Sequence, residues 1–328
     1  MMERMLRNTM LVLAMASLTA CLKEELPVPA HAAGAAQEGE ACVGTSYEEQ
    51  VWYDLGSNRI VRTNSKMDWD LAFESAADGW HVRLNGARFM RAVPTGQTDI
   101  TQATDTAGYA ANWRIDRPSG AVDSTAIGDW RSTHEVYALE MGYNVIGLPI
   151  GVRKLRIIDM DASTFTFEVA DLNGGGRQQC TVQKDPARRY VHFSLLHAPA
   201  QQVDIAPPDG EYDLVFTQFT TQFYDPYIAY LVTGVVDGFS GVRVAEWTAT
   251  DLNAVTLADT LQHPFSTDED AIGYDWKVYD FNTALYTVES SHVYIVQDAH
   301  GFFHKLHFVD FYNDQGQRGC PQFEVVTF

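Results

Sequence analysis

Hydrophobic and polar positions alternate along this chain in short runs of strand length. Val51-Trp52-Tyr53-Asp54-Leu55, Lys154-Leu155-Arg156-Ile157-Ile158 and Phe165-Thr166-Phe167-Glu168-Val169 each fit a strand with one buried face. Gly142-Tyr143-Asn144-Val145-Ile146 and the run from Phe302 to Phe311 continue the style. Turn signals interrupt it at Asn173-Gly174-Gly175-Gly176, Pro207-Pro208-Asp209-Gly210 and Asn313-Asp314-Gln315-Gly316. Short helices are expected only within 250–262, where Leu252, Val255 and Leu261 fall near helical spacing, and around 122–128. The pattern predicts an all-β fold of antiparallel strands with minor helix.

The alternation also repeats. Trp69-Asp70-Leu71-Ala72-Phe73 returns as Tyr212-Asp213-Leu214-Val215-Phe216, each preceded by an acid. Val51 to Leu55, ahead of the first copy, corresponds to Val191-His192-Phe193-Ser194-Leu195 ahead of the second. A strand ending in glycine follows each copy, Trp80 to Gly86 and Tyr227 to Gly234. Phe165 to Gly174 parallels His292 to Gly301, both reading as a strand that enters an Asx-Gly turn. A period this long is beyond solenoid repeats and implies two tandem related β modules, 46–195 and 190–328, sharing the strand near 190–196. On a strand, Trp69, Leu71 and Phe73 would share one face, as would Tyr212, Leu214 and Phe216. Asp70 and Asp213 would face away. An Asp written twice at a position strands disfavour suggests a hydrogen bond to a neighbouring turn.

Composition then narrows the setting. The net charge of −20 argues against nucleic acid, since nothing could neutralise a run of phosphates. It also leaves no basic patch for a membrane surface, so attachment to lipid would have to be covalent. The N-terminus offers that: Arg4 and Arg7 precede a short apolar run, Met10 to Ala20, too short to span a bilayer. Leu18-Thr19-Ala20-Cys21 resembles the lipobox of bacterial lipoproteins, making 1–21 a signal peptide and Cys21 the lipidated residue. Lys23-Glu24-Glu25 resembles the surface-export signal of Bacteroidetes lipoproteins. Residues 22–45, rich in Pro, Ala and Gly, read as a flexible tether. Cys42, Cys180 and Cys320 remain beyond the signal; an oxidising envelope permits a disulfide, and Cys180 with Cys320 is the preferred pair although spacing does not dictate it.

Chemistry is sparse. Gly238-Phe239-Ser240-Gly241-Val242 lacks the spacing of a nucleophile elbow, and no phosphate-cradling or dinucleotide glycine fingerprint occurs. Asp268-Glu269-Asp270 lacks the alternation of a Ca²⁺ loop and reads as a solvated acidic turn. His304 and His307 would point to opposite faces of a strand, so with His300 they do not close a metal site. No enzymatic function is assigned.

The doubled W-D-L-A-F and Y-D-L-V-F phrases, with L-N-G and Y-L-V-T-G after them, resemble the motifs of the HmuY-type haem-binding lipoproteins of Bacteroidetes. The run from Val293 to Phe308 and Gly319-Cys320-Pro321-Gln322-Phe323-Glu324-Val325 are similar to that family's closing hairpin, so the likeness covers roughly 46–328. It implies an HmuY-like all-β body, outside the cell on a lipid, that captures haem and passes it to a TonB-dependent outer-membrane receptor. Family members ligate iron through paired His or Met, but those positions lie outside the matched motifs and are not carried over. Read from the residues alone, haem needs an apolar slot and axial donors. His263, in a Gln-His-Pro loop, and His292, at a strand start, are the candidate haem ligands, with Met141 and Met160 as candidate soft donors. The rival readings are a surface adhesin or binding module for a glycan or protein ligand, and an envelope hydrolase without a nameable nucleophile.

Overall fold

The computed structural model describes residues 34–237, 241–249 and 252–328. The expected signal peptide and Cys21 lie outside them. In chain order the strands are β1 (Gln37–Glu40), β2 (Glu49–Asp54), β3 (Arg59–Ser65), β4 (Leu71–Glu74), β5 (Val82–Leu84), β6 (Arg91–Pro94), β7 (Val136–Glu140), β8 (Val152–Met160), β9 (Thr164–Asp171) and β10 (Gln178–Gln183). They continue with β11 (Tyr190–Ser194), β12 (Gln201–Val203), β13 (Leu214–Tyr224), β14 (Tyr227–Val236), β15 (Arg243–Thr248), β16 (Lys277–Asp280), β17 (Leu285–Val288), β18 (His292–Gln297), β19 (Phe303–Tyr312) and β20 (Arg318–Thr327). Every strand pairing among them is antiparallel. The expected helices are short 3₁₀ turns at Val122–Ser124, Leu252–Ala254 and Leu257–Leu261. The run at 142–146 is a loop and not a strand; Gly142 takes a φ of 68° and Ile146 is 75% exposed, so its apolar residues face solvent.

Two sandwiches result, each a four-stranded sheet facing a five-stranded one. β12-β11-β4-β5 and β10-β9-β8-β7-β6 enclose Leu71, Phe73, Leu155, Phe167 and Phe193. β14-β13-β2-β3 and β1-β20-β19-β18-β15 enclose Val51, Tyr53, Leu214, Phe216, Phe308 and Phe323. The Phe of each repeated phrase sits at the centre of a core: Phe73 stacks on Phe167 at 5.0 Å, and Phe216 on Phe323 at 5.2 Å. Burying each such ring is worth about 1.5–3 kcal/mol. Both Asx-Gly turns form, with Gly174 N donating to Asp171 O and Gly301 N to Asp298 O, the glycines at φ 85° and 88° where a Cβ would strain the backbone.

The pairing crosses between the copies. β4 of the first phrase pairs with β11, setting Leu71, Ala72 and Phe73 opposite Phe193, His192 and Val191. β13 of the second phrase pairs with β2, setting Leu214, Val215 and Phe216 opposite Tyr53, Trp52 and Val51. Each repeat therefore lends its leading strand to the other. Sequence order and core do not divide alike, because Val51, Tyr53 and Leu55 of residues 46–195 pack in the second core.

The two Asp residues seal this exchange. Asp70 Oδ2 accepts the backbone N–H of Leu195 (2.5 Å), and Asp213 Oδ2 that of Leu55 (2.8 Å), so each caps the end of the strand borrowed from the other copy. Asp70 is fully buried with Arg88, whose Nη1 lies 2.5 Å away. Burial pushes the Asp213 carboxyl up to about 6, against the opposing Leu55 N–H. The expected three-residue stripe is corrected at its first position: Trp69 and Tyr212 precede the strands, which begin at Leu71 and Leu214, so the period of two does not reach them. They turn to the opposite side from the cores.

Residues 37–45 are likewise not tether. β1 pairs with β20, Ala41 and Val43 are fully buried, and Cys42 forms a disulfide with Cys320. That corrects the preferred pair: Cys180 is free and buried on β10, where burial raises its thiol pKa.

Candidate functional site

On the sides turned away from the cores, the two four-stranded sheets meet across a cleft. Residues equivalent by the repeat line it: Trp52 with His192, Trp69 with Tyr212, Ala72 with Val215. Their rings pair across the exchange, Trp52 edge-on to Tyr212 at 4.8 Å and Trp69 edge-on to His192 at 4.7 Å. Trp52 Nε1 donates to Asn64 Oδ1 and Trp69 Nε1 to Gln50 Oε1, both at 2.7 Å, so the indoles are fixed in place. His192 is 8% exposed; burial, helped by Arg188 and Arg83, lowers its pKa to about 3 and keeps the imidazole neutral. At the rim, Glu269 receives both Arg83 Nη1 (2.7 Å) and Arg189 Nη1 (3.3 Å), and both guanidiniums lie over the Tyr190 ring. Glu269 is 2% exposed, so the acidic turn expected to be solvated is a buried bridge between the halves at this residue. The cleft is narrow, about 100 Å³, too little for more than the edge of a large planar ligand.

A wider groove opens beside it. The segment after Trp113 is anchored twice: Ala92 and Arg114 exchange backbone hydrogen bonds, and half-buried Asp116 accepts Leu84 N (2.6 Å) and Ala126 N (2.7 Å). Arg117 and Pro118 line both cavities and divide them. The opposite wall is the long β13–β14 hairpin, whose tip exposes Tyr224 (66%) and Tyr227 (77%), rings 6.0 Å apart. By the same measure the groove holds about 440 Å³. Its aromatic floor includes Trp113, over which the Arg91 guanidinium lies at 5.8 Å while pairing with Glu140. Arg114 and Arg117 are exposed, and among the described residues their guanidiniums make no hydrogen bond or ion pair. In a chain carrying 43 acids against 23 basic residues, two unneutralised guanidiniums beside an aromatic floor form an anion-accepting surface.

The model of the HmuY protein family matches residues 46–325 of this chain. The chain belongs to the HmuY family. Its all-β sandwiches are the HmuY-like fold that the repeated phrases suggested. No curated protein matches it. Among solved structures it is similar to apo PinO from Porphyromonas gingivitis (9% identity, 90% of this chain and 98% of that one, TM-score 0.36). The apo HmuY analog of Tannerella forsythia aligns over the same shares at 11% identity and TM-score 0.24. A protein from Bacteroides vulgatus described as HmuY-like and heme-binding aligns at 13% identity over 53% of this chain and 90% of its own, TM-score 0.24.

In this HmuY-family chain the histidines singled out from sequence do not converge. His263 rests on Trp247 at 3.8 Å, on the side where Trp247 packs against the cluster of Val293 and Ile295. His292 Nδ1 lies 2.6 Å from Glu246 Oε1, on the opposite face of the same sheet, beside Tyr294 of the second core. One iron cannot lie between them. Met141 is 1% exposed in the first core and Met160 packs against that core, so neither thioether reaches the groove or cleft. His304 bonds Asp298 and Thr327, while His307 bonds Ser290 O, so these two diverge as their spacing requires. Sequence reading missed His192, Arg114 and Arg117. His192 could have been found, because its repeat partner is Trp52 and its neighbours Val191 and Phe193 alternate into the core; the loop arginines carry no periodic signal.

Proposed function

We propose that this HmuY-family chain is a lipid-anchored surface protein, acylated at Cys21, that binds haem or a related tetrapyrrole as cargo and hands it to a TonB-dependent outer-membrane receptor. The observation that carries the reading is the groove. A tetrapyrrole is a flat apolar ring with two carboxylates on one edge; Trp113, Tyr224 and Tyr227 supply aromatic surface, and Arg114 and Arg117 supply two guanidiniums that make no hydrogen bond or ion pair among the described residues. Aromatic contact contributes about 0.5–1.5 kcal/mol per ring beyond area burial, and desolvation of the ring adds about 25 cal/mol per Å². The role is carriage: the groove residues bind and orient, and no step of bond making is assigned to them. His263 and His292, on opposite faces, are not part of this site.

The test is titration of the mature protein with haem, followed at the Soret band, for wild type and for Trp113→Ala and Arg114→Ala/Arg117→Ala. The reading expects a saturable Soret shift, weakened about tenfold by Trp113→Ala, or ~1.4 kcal/mol. No shift in the parent protein would remove it. Open aromatic surface beside arginines also suits an acidic glycan, and saturable binding of such a glycan without a Soret shift would favour that reading.

A further inference from the structure

We infer that the groove selects its cargo by the macrocycle and its carboxylates and not by iron, so that a metal-free porphyrin is held as firmly as haem. This rests on the tetrapyrrole reading above and goes beyond it by naming what is recognised.

The donors decide the matter. Iron selectivity in a carrier comes from an imidazole, thioether, thiolate or phenolate that bonds the metal and has nothing to bond in a free porphyrin. Among the described residues lining the groove there is no His, Met or Cys. Of the residues outside the description, Gly238, Phe239, Ser240, Thr250 and Asp251 include none, and His31 is the one imidazole beyond residue 21 there. The neighbouring imidazole, His192, stands in the cleft behind Arg117 and Pro118, with its ring against Trp69. Met90 and Met141 are each 1% exposed within the first core. Trp113, Ile115, Pro118 and Ile228 present carbon to a ring face, and such contact is blind to what occupies the ring's centre. The guanidiniums of Arg114 and Arg117 read carboxylates on the ring's edge, which haem and its metal-free form share.

Tyr224 and Tyr227 are the oxygen donors that could reverse the conclusion, because a phenol that loses its proton can bond ferric iron. They are therefore part of the test. Quenching of tryptophan fluorescence gives dissociation constants for haemin, protoporphyrin IX and protoporphyrin IX dimethyl ester with the mature protein. Visible spectra report the iron's ligation. The inference expects haemin and protoporphyrin IX to agree within about threefold, and the diester to bind at least about tenfold more weakly. Arg114→Ala/Arg117→Ala should weaken both acids together and leave the diester unchanged. A haemin preference above tenfold, with a ligated spectrum lost in Tyr224→Phe or Tyr227→Phe, overturns the inference and leaves the proposed function standing. Binding of both acids that is indifferent to Trp113→Ala and to the arginine variant also overturns it, because the groove is then not the site. Failure of every tetrapyrrole to bind removes the proposed function itself.

Discussion

Asp70 and Asp213 hold the same place in the two repeats, yet their removal should have opposite effects. Asp70→Ala leaves Arg88, itself fully buried, without its carboxylate, and strips the acceptor from Leu195 N and Leu196 N. Breaking a buried pair from one side costs about 3–5 kcal/mol, and the orphaned amides keep the loss at the upper part of that range. Asp213 makes no ion pair among the described residues, and burial raises its pKa from 3.8 to about 6. A carboxyl raised in the folded state contributes stability that is complete below the unfolded pKa and is lost as pH rises through the folded one. The window is therefore about pH 4 to 6, and the charge costs up to ~3 kcal/mol above it. Asp213→Asn keeps an oxygen for Leu55 N and discards the charge, so it should stabilise by about 1–2 kcal/mol at pH 8 and change little at pH 4. Urea unfolding at both pH values measures this. Equal losses for Asp70→Ala and Asp213→Asn at pH 8 would refute the reasoning, as would a pH-independent effect of Asp213→Asn.

Other outcomes follow from the same geometry. His192, lowered to about 3 by burial and by Arg188 and Arg83, holds its stability above the unfolded value near 6.5 and loses it as pH falls. His192→Phe should therefore flatten the acid limb between pH 6.5 and 3 by up to ~4 kcal/mol, read as melting temperature against pH. Cys42→Ser/Cys320→Ser opens a link between residues 278 apart, and loop-closure entropy sets the expected loss at about 5 kcal/mol; denaturant midpoints with and without reductant check it. Cys180 should resist alkylation in the folded protein and react on unfolding, as mass spectrometry of labelled peptides would show. Phe73→Ala should cost about 3–5 kcal/mol by opening a cavity against Phe165 and Phe167.

What could be read in advance was whatever recurs with a period. The repeated phrases announced strands, Leu71, Phe73, Leu214 and Phe216 announced core, and the doubled Asp announced a bond to a turn. The crossing was not legible, because β2 and β11 match equally well and alternation does not say which of two like strands β4 will choose. Residues 37–40 look like leash since edge pairing with β20 uses backbone, to which composition is indifferent. Trp69 and Tyr212 escaped because the strand starts two residues later than the phrase. The groove was hidden for a related reason: Arg114 and Arg117 lie on a loop held by Asp116, whose partner Leu84 is 32 residues away in sequence.

The exchange of leading strands has a consequence for how the protein is made. When β2 emerges from the ribosome, the strand it will pair with in the second sandwich, β13, has not been synthesised. At ordinary elongation rates the wait is on the order of ten seconds. Until then Val51, Tyr53 and Leu55 have no core to enter, and β4 likewise waits for β11. The front strands can form only their local pairs, β2 with β3 and β4 with β5, and each sheet stays incomplete until the partner from the other copy follows. Closure waits until β20 reaches β1 and the two cysteines meet.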